Sequence, residues 1–125
     1  MIDFSANLID SRQPIKQALE QLNKLPDSLT LFVVNEQRQM VGTLTDGDIR
    51  RGLLQDLPMT GTVSDFMFTN FRYLRQNHFT LQTIQELRVK RIKLIPLLDE
   101  QNRIIRVYDL IQKRSVLPVD AVIMA

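Results

Sequence analysis

The segment VVNEQRQMVG, residues 33–42, returns as LLDEQNRIIR at residues 97–106, and that recurrence decides the fold. The two align without a gap, Val33 onto Leu97, a shift of 64 residues. Each reads as two apolar residues, an Asn or Asp, Glu-Gln, two polar residues, then two apolar ones. Self-similarity at a fixed shift is the mark of a repeated structural unit. Short apolar runs around a polar tip predict strand, tight turn, strand. The tips are Asn35-Glu36-Gln37-Arg38 and Asp99-Glu100-Gln101-Asn102.

Working outward, each hairpin follows an amphipathic helix. Ile15, Ala18, Leu19 and Leu22 fall at i, i+3, i+4 and i+7, with Ser11 as the expected N-cap and Pro14 in the first turn. In the second copy Thr80 is the expected cap of a helix carrying Leu81, Ile84 and Leu87. Each hairpin leads into another apolar-patterned segment, Asp48–Gln55 and Tyr108–Lys113, read as helices. The unit is therefore βαββα, used twice, an α+β fold. Helices on one face leave each three-stranded sheet with a second apolar face, and two copies can bury those faces about a pseudo-twofold axis. The turn-rich join, Asp56-Leu57-Pro58-Met59-Thr60-Gly61, divides the chain into a first repeat at 1–56 and a second at 57–116.

The totals bound the function. At 125 residues the chain has one domain's length and can bury roughly 65–70% of its unfolded surface. Its 44% hydrophobic and 24% charged residues are those of an ordinary globular protein. No apolar run approaches the length of a membrane span, and MIDFSANLID lacks the basic and apolar regions of a secretion signal. With no cysteine, disulfides, thiol catalysis and thiolate metal sites are excluded, and a reducing, cytoplasmic setting fits. A net charge of +2 gives no reason to expect a nucleic-acid partner.

VGTLTDGDIRRGLL, residues 41–54, passes from strand to helix across Thr45, Asp46 and Asp48. Thr45 is placed to cap the helix and Asp48 to complete a capping box, and both acids suit the positive end of the helix dipole. The same residues also suit a ligand. Gly42 lacks a Cβ, so a flat group could approach the strand. Free N–H groups at a helix start suit a phosphate, and Asp48 can accept from ribose hydroxyls. Carried forward by 64, Gly42 meets Arg106, Thr45 meets Asp109 and Asp48 meets Gln112, so the second copy keeps none of the three.

These stretches resemble a tandem pair of CBS domains, a Bateman module, over about residues 5–115. VGTLTDGDI resembles the family's Gly, hydrophobic, Thr, two residues, Asp strand end. RIKLIPLLDEQNRII and VSDFM (63–67) resemble its apolar-Pro-apolar-acid segment and its opening valine-acid-apolar-methionine stretch. The resemblance implies Thr45 near phosphate or ribose, Asp48 on ribose, and apolar strand residues around adenine, with Phe32 and Val34 as candidate walls. It implies a homodimer and AMP, ADP or ATP as regulatory ligand. LPVDAVIMA (117–125) resembles the opening strand of sugar-phosphate nucleotidyltransferases, mannose-1-phosphate guanylyltransferases among them, which implies a C-terminal enzyme domain in a parent chain; the alternative is a last β-strand of the module itself.

Among the remaining charges, Arg88, Lys90, Arg91 and Lys93 crowd one helix end; Arg91 and Lys93 are the candidates for neutralising ligand phosphate, the alternative being a solvated helix terminus. Arg50 and Arg51 read as a solvated helix face. His78 is the single histidine and has no partner at ligand spacing. No nucleophile–base arrangement can be assembled, so this chain is not expected to be an enzyme, to bind metal, or to contact nucleic acid or membrane. Two readings follow. One is an adenine-nucleotide-sensing module of a sugar-1-phosphate nucleotidyltransferase. The other is a ligand-free dimerisation module.

Overall fold

In the computed structural model, residues 4–25, 30–76, 81–89 and 94–110 are described. They pack as two compact units, one of Phe4–Phe71 and one beginning at Arg72. The first unit contains a 3-10 turn at Ser5–Asn7, β1 (Leu8–Asp10), α1 (Ile15–Asn23), β2 (Thr30–Val34), β3 (Met40–Thr45), α2 (Asp46–Leu54) and α3 (Val63–Phe66). The second contains β4 (Leu74–Arg75), α4 (Leu81–Val89), β5 (Leu94–Leu98) and β6 (Ile104–Asp109). The α+β expectation holds.

Each unit holds a three-stranded sheet with the same wiring. β1 runs parallel to β2, and β2 pairs antiparallel with β3; β4, β5 and β6 repeat this order. The registers also repeat. Val33 faces Gly42 and Val34 faces Met40, with a bulge between; Leu97 faces Arg106 and Leu98 faces Ile104, with a bulge between. Every one of these positions obeys the shift of 64 read from the sequence.

The hairpin tips explain why the shift is so strict. Asn35 Oδ1 accepts from the N–H of Gln37 at 3.0 Å and of Gln39 at 2.9 Å. Asp99 Oδ1 accepts from Gln101 at 2.8 Å and Arg103 at 2.9 Å. A short side-chain acceptor that holds its own following backbone favours a turn over a continuing strand. Arg38 and Asn102 take left-handed φ values of 67° and 66° at the same place in each tip.

Packing of the first unit follows the alternation of its strands. Leu31, Val33 and Leu44 meet Ile15, Ala18 and Leu22 of α1, Ile49 of α2, and Val63 and Phe66 of α3. Phe32 and Val34 point to the other face of the sheet and are buried as well, at 1% and 7% exposure. In the second unit Leu74, Ile95 and Leu97 pack with Ile84 and Leu87 of α4. Each such side chain contributes about 1.5–3 kcal/mol by leaving water.

Four sequence expectations need correction or restatement. Ser11 does not cap α1: the helix starts at Ile15 with Pro14 in the N-cap position and no side-chain cap. The linker supplies backbone instead, Ile15 N–H donating to Gly61 O at 3.0 Å and Val63 N–H to Gln13 O at 2.9 Å. Tyr108 and Asp109 end β6 rather than opening a helix, because they pair with Ile95 and Leu94. Leu81 lies on the exposed side of α4, so only Ile84 and Leu87 carry its apolar face. Finally, α3 gives Val63 and Phe66 to the first core, so packing keeps Leu57–Phe71 with the first unit although the sequence repeat turns over near Asp56. Thr80, His78 and the 111–125 segment lie outside the described residues.

Candidate functional site

The β3–α2 corner answers the question posed by TDGD. β3 delivers Thr45 in extended conformation and α2 begins at Asp46. Asp48 N–H donates to Thr45 Oγ1 at 3.2 Å, and Thr45 N–H donates back to Asp48 Oδ2 at 2.9 Å, a reciprocal capping box. Thr45 Oγ1 also donates to Asp48 Oδ2 at 2.9 Å. The second carboxylate oxygen, Oδ1, accepts from Arg51 Nη2 at 2.5 Å. Asp48 is 10% exposed on its side chain, whereas Arg51 is 66% exposed.

A carboxylate offers about four acceptor positions, and three are used here. The Asp48–Arg51 pair is the exposed, exchangeable one: such ion pairs contribute about 0–1 kcal/mol. A hydroxyl donor can therefore take its place at Oδ1 at small cost. Sequence reasoning placed Arg51 on a solvated face; the i, i+3 spacing from Asp48 was the signal available for this contact. Arg50 instead pairs with Asp46 at 2.7 Å.

Gly42 is explained by a neighbour that spacing does not reveal. A Cβ there would lie 2.9 Å from Met67 Sδ and 3.0 Å from Phe68 O. Thr43 and Phe68 exchange two backbone hydrogen bonds, at 2.9 and 2.8 Å, so the chain after α3 covers the β3 edge. The close approach that glycine permits is thus made by the protein's own Met67. Phe32 stands opposite Thr43 in the register and Val34 opposite Met40, both on the sheet face away from the helices. The structure thus brings Thr45 and Asp48 into contact and places Gly42, Phe32 and Val34 on the adjoining sheet. Arg91 and Lys93 lie outside the described residues. In the second unit Arg106 and Asp109 take the register positions of Gly42 and Thr45, and Gln112 lies outside the described residues.

A second polar cluster, missed in the sequence, ties the end of β1 to the first hairpin tip. Arg12 grips Asp10 with Nε at 3.0 Å and Nη2 at 2.9 Å, and gives Nη1 to Glu36 at 2.6 Å. The Arg12 side-chain hydrogen bonds, aided by its backbone N–H, hold the Asp10 carboxyl down at about 2. Among the described residues no group of acids and histidines could hold a metal ion, and no helix is long and apolar enough to cross a membrane.

Residues 8–55, the β1-to-α2 stretch that contains the Thr45–Asp48 corner, match the family model of the CBS domain. An uncharacterized protein of Helicobacter pylori is 30% identical over 82 residues, covering 65% of this chain and 25% of that one. The chain spans about a quarter of the length of the curated relatives it matches. Among solved structures, a CBS domain protein of Streptococcus pneumoniae superposes with a TM-score of 0.69 over 94% of this chain and 79% of its own, at 18% identity. CBSX2 in complex with AMP gives 0.67 over 86% and 83%, at 17% identity. The cytosolic domain of the Mg2+ channel MgtE in complex with ATP gives 0.62 over 94% and 43%, at 16% identity. These likenesses establish the CBS-pair fold.

Proposed function

We propose that this chain is a regulatory module that senses an adenine nucleotide through its first CBS lobe. The observation that carries the reading is the acceptor on Asp48: a nearly buried carboxylate at a helix start, one of whose oxygens is held by an exposed arginine. A ribose hydroxyl would displace Arg51 from Oδ1, and the freed guanidinium would turn to the phosphate it cannot reach while paired. Thr45 would keep its cap on the Oδ2 side. Phe32 and Val34 would wall the base, the backbone of Gly42 would form part of the strand beneath it, and Arg91 or Lys93 would add phosphate charge. The AMP and ATP carried by CBSX2 and by MgtE, which have the same fold, support an adenine nucleotide as the ligand class.

In this reading the module has no catalytic residue of its own and acts in the cytoplasm on an attached domain. LPVDAVIMA supports a sugar-1-phosphate nucleotidyltransferase as that domain. Ligand control then requires different affinity for two arrangements of the parent chain, since equal affinity shifts nothing. The ligand-free assembly reading draws on a different observation: the cap by itself already accounts for both Thr45 and Asp48.

Thermal melting separates the two. Nucleotide at 100 times its Kd adds about 2.7 kcal/mol of stability. AMP, ADP or ATP is expected to raise the melting temperature of the wild type and not of Asp48→Ala. No shift with any of them at millimolar concentration would leave the assembly reading, and an equal shift in Asp48→Ala would move the ligand elsewhere.

A further inference from the structure

Two adjacent arginines of helix α2 keep different company. Arg50 bonds Asp46, an acid that is 54% exposed, at 2.7 Å. Arg51 bonds Asp48, whose side chain is 10% exposed, and so reaches back toward the start of the helix. Gly47 gives it room there. A Cβ at Gly47 would come 3.3 Å from Arg51 Nη1, 3.7 Å from Arg51 Nη2 and 3.7 Å from Thr45 Oγ1. The guanidinium thus rests over the glycine, on the same Asp48 oxygen that the nucleotide reading gives to ribose. The other oxygen already accepts from the Thr45 N–H and hydroxyl. A ligand that takes Oδ1 must therefore lift Arg51 away.

What happens next depends on the rest of the ligand. A neutral nucleoside breaks the Asp48–Arg51 pair and offers the guanidinium nothing in return. A nucleotide breaks the same pair but brings a phosphate, whose oxygens match the planar fork of an arginine. The first turn of α2 carries two acids, Asp46 and Asp48, which repel phosphate. Arg50 is engaged by Asp46, so Arg51 is the cation of this helix that a ligand on Asp48 sets free. We infer that Arg51 is the specificity residue by which the first lobe tells a nucleotide from a nucleoside: a latch on Asp48 whose release only a phosphate-bearing ligand offsets. The inference rests on the nucleotide reading of the Thr45–Asp48 corner and adds a rule of selection to it. Gly47 is the positioning residue, because it leaves the space in which the latch closes.

Isothermal titration of adenosine and of AMP into the full chain reads this selection as a ratio of dissociation constants. Wild type is expected to bind AMP about tenfold or more tightly than adenosine, the gain from one charge-assisted, two-point contact. In Arg51→Gln the ratio is expected to fall to about one or below. Adenosine then binds at least as tightly as before, because no latch has to be lifted, and AMP binds more weakly. Arg51→Lys keeps the charge without the fork and is expected to fall between the two. Arg50→Gln removes the neighbouring cation and is expected to keep the wild-type preference. Arg51 is 66% exposed, so its variants are expected to fold, which circular dichroism checks. Any charge supplied by Arg91 or Lys93 is common to all these proteins and drops out of the comparison. An unchanged ratio in Arg51→Gln, or an equal loss in Arg50→Gln, would overturn the inference and leave the nucleotide reading in place. A wild type that binds neither ligand would overturn both.

Discussion

The first hairpin and the second are one backbone with two sets of side chains. Both tips are held by a single Asn or Asp oxygen and both place the fourth residue in the left-handed region. Both are also tied to the end of the preceding parallel strand, but with opposite charge. In the first, Asp10 recruits Arg12 and Glu36; in the second, Arg75 itself donates to Asp99 O at 2.8 Å and to Asn102 Oδ1 at 2.7 Å. The lesson is that register and turn geometry constrain the chain tightly, whereas the means of tethering the tip is interchangeable. What differs in residue type is the β3–α2 corner. Gly42, Thr45 and Asp48 have Arg106, Asp109 and Gln112 for counterparts, so the scaffold is duplicated and the candidate binding groups are not.

The largest effects should be shared by the two lobes. Leu31 and Ile95 occupy equivalent, fully buried positions. Leu31→Ala and Ile95→Ala are each expected to cost about 2–5 kcal/mol in chemical denaturation, as large-to-small core changes do. A second-lobe cost near zero would break the equivalence of the two sheets. Next comes the glycine exchange. Gly42→Ala presses on Met67 Sδ and the Phe68 carbonyl and should cost about 1–3 kcal/mol. Arg106→Ala, at an exposed position in the same register, should stay within about 0.5 kcal/mol. Equal costs would mean that Met67 does not pack over Gly42.

The corner itself gives a smaller contrast. Thr45→Ala removes the cap and should lower stability by about 0.5–2 kcal/mol, with Thr45→Ser restoring most of it. The smallest effect is on acid stability. The Asp10 carboxyl is held at about 2 in the folded chain against 3.8 for the free group. Because the folded value is the lower one, its contribution is complete above pH 3.8 and fades as pH falls toward 2. With Arg12 mostly exposed, that contribution is under about 1 kcal/mol. Asp10→Asn should flatten the acid limb of the stability profile by that amount. Arg75→Gln in the second lobe should lower stability equally at all acid pH, since arginine does not titrate there.

Much of this was legible in the sequence because it depends on local period and polarity. The 64-residue shift, both tips, both pairs of hairpin strands and the Thr45–Asp48 box follow from residues only a few positions apart. The misses share a different cause: partners that come from far along the chain. Ser11 has the right chemistry for a cap, yet the backbone of Gly61 and Val63 reaches the start of α1 first. Gly42 permits a close approach, and nothing in the local spacing announces that Met67, from beyond α2, makes one there. Gly52 is similar: a Cβ there would lie 2.5 Å from Phe66 Cδ2, so the glycine leaves room for the Phe66 ring of α3. Nothing in the spacing of TDGDIRRG announces Phe66.

The central claim is that one lobe of a duplicated scaffold keeps a nucleotide-binding corner and the other does not. Titrating AMP or ATP into isotope-labelled protein, with backbone amide shifts followed residue by residue, tests it most directly. The account predicts saturable shifts at Gly42–Arg51 that vanish in Asp48→Ala, with the amides of Arg106–Asp109 unmoved. Shifts centred on Arg106–Asp109, or equal at both corners, would contradict it.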